Sequence, residues 1–309
     1  MRIIKSSILA VSILVGMAGS ALADTKIGLT MAKFDDKFLT ILRNAVADQA
    51  KSVDGVSVDI VDAKNDVGTQ LEQVKAFIAQ KVDAILLCPV DEGQTKEMAD
   101  LAGAAGIPLV YINKRPPEDK FVGKVAIVSS NDLVAGRLQM LKLAGLMGGK
   151  GNLVILNGDP KASAALERTR GMKEILARFP DIKIVQEGTA NWSRDEGEAT
   201  VSGWLKSGAK IDAVAADNDE MAIGAIQAFQ KANVSLDSVV IGGVDATPDA
   251  LAQMQQGNME VTVLQNAARQ GQQAITDAIK MAKGERAQLY DWVPYELVTT
   301  NNLSEYHSN

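Results

Sequence analysis

Short apolar runs alternate along this chain with longer segments in which apolar residues recur every three or four positions. The short runs predict buried strands, and the longer segments predict helices with one apolar face. The predicted strands are residues 27–31, 56–61, 84–87, 109–112, 125–128, 153–156, 182–185, 213–216, 239–241 and 261–264. The predicted helices are residues 70–80, 94–105, 133–146, 164–178, 194–206, 220–231 and 267–283, with a further helix that begins at Phe38. Repeated strand–helix–strand units predict an α/β fold with parallel sheets covered on both faces.

The alternation breaks once, near residues 129–132, and begins again at Leu153. We interpret this break as the first crossover between two doubly wound domains, because the chain without its first 23 residues, about 286 of the 309, is too long for a single hydrophobic core. Residues 290–298 form a further strand-like segment, long after the last helix, that could pair with either sheet.

The first 23 residues have the pattern of a secretory signal peptide rather than of a folded element. Arg2 and Lys5 give a positive start, residues 8–17 are apolar, and Ala21 and Ala23 form a small-x-small cleavage site. A membrane anchor is the alternative, but this apolar run is short for a membrane span. We therefore expect a mature chain that begins at Asp24 and is exported to the periplasm.

Composition narrows the function classes. The net charge is −6 and no basic cluster is present, so nucleic acid is not an expected partner. Cys88 is the only cysteine, which excludes an intrachain disulfide, and His307 is the only histidine, which excludes histidine triads and most zinc sites. We expect neither a metal nor a cofactor, and an enzyme would depend on carboxylates, lysine or serine.

The loop after the first predicted strand combines two carboxylates with aromatic neighbours. Asp35 and Asp36 lie between Phe34 and Phe38, where a strand gives way to a helix. Ligands of open α/β sheets bind at such strand ends, carboxylates accept hydrogen bonds from hydroxyls, and aromatic faces cover sugar-like rings. The alternative is that an aspartate only caps the helix and the phenylalanines belong to the core.

Polar and aromatic side chains follow most of the other strands as well. They are Asp91, Asn113, Lys114, Arg115, Asn157, Asp159, Arg168, Trp192, Asp217, Asn218, Asp219, Asp245 and Gln265. Any one of them could be a simple turn former or helix cap. Because equivalent strand ends open onto one edge of a parallel sheet, the set predicts a polar cleft between two facing sheets. Phe38 and Trp192 could cover the two faces of a ring there.

Five segments carry a family resemblance, in order and spacing: KFDDKF at residues 33–38, YINK at 111–114, ERTRG at 167–171, DNDEMA at 217–222 and GVDATPD at 243–249. Through them the chain resembles the sugar-binding proteins of bacterial ABC importers, of the ribose and galactose/glucose type. The resemblance implies a type I periplasmic binding protein, with two doubly wound domains joined by a three-strand hinge. It also implies an N-terminal lobe of residues 24–130 and 266–292, and a C-terminal lobe of residues 131–265 and 293–309.

The family's ligand contacts fall on matching positions of this sequence. They are Asp36, Phe38, Asn113, Lys114, Arg168, Trp192, Asn218, Asp245 and Gln265, with Phe34, Asp35, Arg115 and Asp159 as neighbouring candidates. The implied partners are a small cyclic polyol or monosaccharide and the membrane permease of an importer. A chemoreceptor is compatible with this role, and we expect a monomer.

Departures from the family pattern bear on the ligand. The galactose/glucose type has a His and an Asp before the arginine, where this chain has Ala162 and Ala164, and its calcium loop is missing at residues 147–151. The ribose type has an Asn where this chain has Cys88. The loop at residues 34–39 looks more like proteins that bind inositol or its amino derivatives, the rhizopines. We expect one of these ligands, with an aldose as the alternative.

Two other function classes share parts of the pattern. Asp35 and Asp36 could suggest a glycosidase pair, but adjacent residues do not flank a bond from opposite sides, so a glycoside-active enzyme is a remote alternative. The effector domain of a sugar-responsive repressor has the same fold, but this chain has a leader where a DNA-binding headpiece would lie.

Overall fold

The computed structural model describes residues 24–306; the expected signal peptide and His307 lie outside the described residues. In chain order, the strands are β1 (Thr25–Met31), β2 (Val56–Asp62), β3 (Ala84–Leu87), β4 (Leu109–Asn113), β5 (Val125–Ser129), β6 (Lys150–Asn157), β7 (Asp181–Thr189), β8 (Ala213–Ala216), β9 (Val240–Gly242), β10 (Val261–Leu264), β11 (Tyr290–Trp292) and β12 (Glu296–Thr299). The helices are α1 (Lys37–Lys51), α2 (Val67–Ala79), α3 (Lys96–Ala104), α4 (Asp132–Leu146), α5 (Ser163–Leu176), α6 (Arg194–Lys206), α7 (Asp219–Lys231), α8 (Pro248–Gln255) and α9 (Ala267–Ala282).

Two six-stranded sheets form two α/β domains, as the sequence predicts. The first sheet has the order β11-β5-β4-β3-β1-β2, and all its pairs are parallel. The second has the order β12-β10-β9-β8-β6-β7, and only its β10–β12 pair is antiparallel. The prediction of two parallel-sheet domains is therefore confirmed, with β12 as one antiparallel edge strand.

Apolar side chains cover both faces of each sheet. In the first domain, α1 and α9 bury one face, and α2 and α3 bury the other. In the second, α6, α7 and α8 cover one face, and α4 and α5 cover the other. No helix of residues 24–306 is long and apolar enough to cross a membrane.

The chain passes from one sheet to the other three times. The passages lie between β5 and α4, between β10 and α9, and between β11 and β12. After the first passage α4 packs on the strands of the second sheet, and after the second passage α9 packs on those of the first.

Two features differ from the sequence expectation. Residues 290–298 form two strands in different sheets instead of one, because the Val293 N–H still bonds Ser129 of the first sheet, whereas Pro294 has no N–H to donate. Helix α8 was absent from the predicted helices, although its start has a common signal. The Thr247 hydroxyl accepts the Ala250 N–H, and Pro248 occupies the first turn.

Candidate ligand-binding site

A cleft of about 620 Å³ lies between the two domains, within the size range of small-molecule sites. Eleven of the thirteen residues that the sequence nominated line it: Asp36, Phe38, Asn113, Lys114, Arg115, Asp159, Arg168, Trp192, Asn218, Asp245 and Gln265. The other two do not. Phe34 packs against the first core with the Arg43 guanidinium 4.4 Å from its ring centroid, and Asp35 is exposed.

On the side of the first domain, Asp36 both caps a helix and lines the cleft. Its Oδ1 accepts the Leu39 N–H at 2.9 Å, and its Oδ2 lies 3.8 Å from Lys33 Nζ. Phe38 in the first turn of α1 is 8% exposed and belongs to the core while it lines the cleft. Asp36 is therefore both a helix cap and a cleft-lining residue, and Phe38 is both a core residue and a cleft-lining residue.

Asn113 ends β4 with a left-handed backbone, at φ 69°. Asparagine tolerates this conformation better than most residues, and here it turns the chain at the edge of the cleft. Its backbone carbonyl accepts the Ser129 hydroxyl at 2.6 Å, which ties it to the adjacent strand end.

On the side of the second domain, Arg168 is the most densely bonded residue of the site. Its Nε donates to Asp132 Oδ1 at 2.9 Å and its Nη1 to the Asp217 carbonyl at 2.6 Å. Its Nη2 donates to Gln265 Oε1 at 3.1 Å and to the Tyr295 hydroxyl at 2.9 Å. Burial lowers the pKa of the guanidinium, but Tyr295 and the nearby carboxylates raise it by more, so Arg168 stays charged.

These partners place Arg168 next to all three interdomain passages. Asp132 begins α4 after the first passage, Gln265 follows β10 at the second, and Tyr295 precedes β12 at the third. The Tyr295 hydroxyl also donates to Asp132 Oδ1 at 2.7 Å. A ligand that contacts Arg168 therefore contacts a side chain anchored where the two domains join.

Asp245 has acceptor capacity that the described residues leave unfilled. It is 6% exposed, and its Oδ1 lies 3.8 Å from Arg168 Nη1, but no described residue donates a hydrogen bond to its carboxylate. Burial raises its pKa well above the ordinary value, Arg168 opposes this rise, and Asp219, Asp36 and Asp132 add to it. Hydroxyl or ammonium donors of a ligand would satisfy this carboxylate.

The indole ring of Trp192 lies directly against Gly158. An ideal Cβ on Gly158 would be 2.3 Å from ring atoms of Trp192. Any residue other than glycine would therefore displace the indole ring. Trp192 itself has φ 66°, and Asn218 donates to its backbone carbonyl at 3.3 Å while also capping α7 through Met221 N.

Two buried aspartates hold the loops behind the cleft. Asp217 Oδ2 accepts the Gly158 N–H at 2.9 Å, and burial raises the pKa of Asp217 to about 7. Asp219 accepts the Thr247 N–H at 2.8 Å and the Thr262 hydroxyl at 2.7 Å, and burial likewise raises its pKa to about 7. Neither lines the cleft, so both support the residues that do.

Sequence reasoning missed three acidic residues that line the cleft: Glu92, Asp132 and Glu196. Glu92 Oε2 accepts the Ser163 N–H at 3.1 Å, which joins the first domain to the start of α5 in the second. Asp132 lies in the break at residues 129–132, and that break was the only available signal. Ala162 and Ala164 also line the cleft, where the galactose/glucose type carries its His and Asp.

Comparison with known proteins agrees with this geometry. The family model described as "Periplasmic binding protein domain" matches residues 27–286. The chain belongs to this family. It is a solute-binding protein of the kind that serves ABC importers of sugars and polyols; its relatives are binding proteins and not enzymes.

Two curated relatives cover most of the chain. A protein of Rhizobium meliloti named for rhizopine binding is 47% identical over 301 residues, which is 95% of this chain and 97% of the relative. The ribose import binding protein of Bacillus subtilis is 31% identical over 274 residues, which is 88% of this chain and 87% of the relative.

Two solved structures share the fold. An ABC transporter solute-binding protein of Bacillus halodurans with bound myo-inositol has a TM-score of 0.86 at 37% identity, over 93% of this chain and 98% of that one. A Caulobacter myo-inositol-binding protein bound to myo-inositol has a TM-score of 0.84 at 27% identity, over 92% and 96%.

Proposed function

We propose that this chain is the periplasmic component of an ABC importer that binds myo-inositol or an amino-inositol in the interdomain cleft. The observation that carries the proposal is the cleft itself, which joins planar polar groups of both domains around a space of about 620 Å³. The alanines at 162 and 164 favour a ring without an anomeric centre, since the pair that would reach such a centre is lost. The names of the Rhizobium and Bacillus halodurans proteins support the same ligand class.

We assign ligand contacts to both faces of the cleft. The hydroxyl-binding set is Asp36, Asn113, Arg168, Asn218, Asp245 and Gln265. Phe38 and Trp192 would cover the faces of the ring. Lys114 lines the cleft as well and completes the assigned contacts, and Arg115 and Asp159 line the cleft as neighbouring candidates.

The transport cycle follows from a ligand that bridges two domains. We assign residues 24–130 and 266–292 to one lobe and residues 131–265 and 293–309 to the other, with the three passages as the hinge. A ligand held by both lobes has a higher affinity for the closed form and shifts the population toward it. The closed form then docks, as a monomer, on the permease. Residues 1–23 would direct export, and a chemoreceptor could recognise the same closed form.

Calorimetric titration of residues 24–309, unfolded and refolded to remove carried ligand, tests the ligand class. Myo-inositol, ribose, galactose and glucose are titrated in parallel. We expect micromolar or tighter binding to myo-inositol and weaker binding to the aldoses. Tight binding to ribose or another aldose alone would favour the alternative ligand class, which the likeness to the ribose import protein supports.

Substitution tests the site. Asp245→Ala removes a carboxylate that is almost fully buried, and we expect affinity to fall tens to hundreds of times, or roughly 2–4 kcal/mol. Trp192→Ala should weaken binding through lost stacking. Asp59→Asn, on an exposed position of β2, is the control that should leave affinity unchanged. A dissociation constant unchanged by Asp245→Ala or Trp192→Ala would contradict the assignment of these residues as ligand contacts.

A further inference from the structure

Two carboxyl groups share the single guanidinium of Arg168. One guanidinium serves both Asp132, at 2.9 Å, and Asp245, at 3.8 Å. Of the other cations that line the cleft, Lys33 lies 3.8 Å from Asp36 Oδ2, and among the described residues none of the others forms an ion pair with Asp132 or Asp245. The cleft wall that holds Asp132, Arg168 and Asp245 therefore has two carboxyl groups for one guanidinium.

Asp132 presents one oxygen to the cleft. Its Oδ1 accepts hydrogen bonds from both Arg168 Nε and the Tyr295 hydroxyl. Its Oδ2 has no hydrogen-bond donor among the described residues and is not among their buried unpaired atoms, and the side chain is 14% exposed. Because Asp132 lines the cleft, Oδ2 is open to whatever occupies it.

We propose that Asp132 is a further ligand-binding residue, and that its Oδ2 accepts a hydrogen bond from an ammonium group on the bound ring. The preferred ligand is then an amino-cyclitol rather than a neutral cyclitol. This inference rests on the proposed function and narrows its ligand class.

Charge and hydrogen-bond capacity both favour an ammonium group over a hydroxyl. A hydroxyl has one proton to donate, whereas an ammonium group has three and would place a second positive charge beside the two carboxyl groups that share Arg168. Asp245 offers a second acceptor on the same side of Arg168. Hydrogen bonds between charged groups are roughly twice as strong as neutral ones, and more so away from bulk water.

Asp132 is also held in place before the ligand arrives. The two bonds hold Oδ1 in place and so restrict the side-chain rotation that would move Oδ2. Because the free protein already orders this side chain, binding loses little entropy in placing it, and affinity is higher for that reason. Position and charge together make Asp132 suited to distinguish NH₃⁺ from OH at one carbon of the ring.

The test uses two ligands that differ in one substituent: scyllo-inositol, and scyllo-inosamine, in which one hydroxyl is replaced by an ammonium group. Calorimetry measures both with wild-type protein, and we expect scyllo-inosamine to bind at least ten times more tightly. Asp132→Asn keeps an oxygen for Arg168 and Tyr295 and turns an NH₂ group to the cleft. We expect this variant to lose the preference for the amine while its affinity for scyllo-inositol changes by less than about threefold.

Asp181→Asn, on an exposed position of β7, removes the same charge outside the cleft and should keep the wild-type preference. A loss of affinity for both ligands to the same extent in Asp132→Asn would overturn the inference, because Asp132 would then act only through Arg168. An unchanged preference in that variant would overturn it too.

Wild-type protein alone separates this inference from the proposed function and does not depend on the folding of a variant. Equal or tighter binding of scyllo-inositol would overturn the ammonium site and leave the cyclitol function standing. Failure to bind scyllo-inositol, scyllo-inosamine and myo-inositol would overturn the proposed function itself.

Discussion

Gly158 leaves room for the indole ring of Trp192 to lie against the backbone between β6 and α5. The ring is also near Arg168, whose guanidinium carbon lies 5.7 Å from its centroid. Gly158 donates its N–H to Asp217, so the backbone that supports the ring is itself held by a buried carboxylate. The position of the Trp192 ring therefore depends on Gly158, which has no side chain to displace it.

We predict that Gly158→Ala weakens ligand binding by at least tenfold, because the new Cβ would lie 2.3 Å from the ring and must displace Trp192. Calorimetry measures affinity, and tryptophan fluorescence reports the displacement. Gly203→Ala is the matched control: Gly203 lies in α6 with no atom within 4 Å of an added Cβ, so affinity should be unchanged. The same loss in a Trp192→Ala background would contradict the mechanism, since no ring remains there to displace.

The buried carboxyl group of Asp217, behind the cleft, makes the stability of the fold depend on pH. Burial raises its pKa to about 7 from an ordinary value of 3.8, although the Gly158 N–H, Arg168 and Thr169 act in the opposite direction. Between about pH 4 and pH 7 the folded chain therefore binds a proton that the unfolded chain has released. The contribution of Asp217 to the free energy of unfolding therefore falls as pH rises through this window.

We predict that Asp217→Asn flattens this dependence, because the amide oxygen still accepts the Gly158 N–H but no longer titrates. Urea denaturation between pH 4 and pH 8 measures the free energy of unfolding. Between the pKa values of Asp217 in the unfolded and folded chain, the slopes of the wild-type and variant curves should differ by at most about 1.4 kcal/mol per pH unit. The curve of Asp181→Asn should run parallel to wild type, and a parallel curve for Asp217→Asn would contradict the buried titration.

At the scale of elements, two glycines bring α4 and α5 into close contact. An ideal Cβ on Gly136 would lie 1.9 Å from the Arg168 carbonyl oxygen, and one on Gly171 would lie 2.3 Å from that of Leu133. Helix α4 begins with Asp132 and α5 carries Arg168. The spacing of this helix pair therefore sets the distance between two charged residues of the cleft.

We predict that Gly136→Ala lowers the free energy of unfolding by about 1–3 kcal/mol, because the helices must separate. Affinity should fall at least tenfold, since Arg168 moves with α5. Gly145→Ala, on the same helix with no atom within 4 Å of the added Cβ, should raise stability by up to about 1 kcal/mol and leave affinity unchanged. Equal affinities for the two variants would show that the spacing does not position Arg168.

Elements with a local apolar signal could be predicted from the sequence, and contacts between distant segments could not. β3, β8 and β10 are runs of four apolar or small residues, and their predicted bounds agree with the structure. The passage between β11 and β12 depends on which sheet each half meets. Asp132 and Tyr295 lie 163 residues apart, so no spacing in the sequence indicates their hydrogen bond. Most of the eleven nominated residues that line the cleft follow strand ends, which share one edge of a parallel sheet, whereas Arg168 lies within α5 and was nominated through the family resemblance.

At the scale of the whole molecule, the described form has its two lobes in contact across the cleft. Glu92 accepts the Ser163 N–H, and Lys37 Nζ in α1 lies 3.3 Å from Asp249 Oδ2 in α8. Asp249 also accepts from Arg194 at 2.8 Å within its own lobe. Opening the lobes would thus cost Lys37 its partner but would leave Asp249 paired.

We therefore expect Lys37 to favour the closed form through this ion pair, although it does not line the cleft. Lys37 and Asp249 are 42% and 41% exposed, and exposed ion pairs contribute at most about 1 kcal/mol. We predict that Lys37→Gln weakens the affinity for neutral myo-inositol by no more than about fivefold at low salt. Because added salt screens the pair, the dissociation constants of variant and wild type should converge in 0.5 M NaCl, where the screening length is only a few ångströms. Lys51→Gln, which breaks an exposed pair within one lobe, should match wild type at both salt concentrations. A loss that persists at high salt would mean that Lys37 acts through α1 and the Asp36 cap rather than through closure.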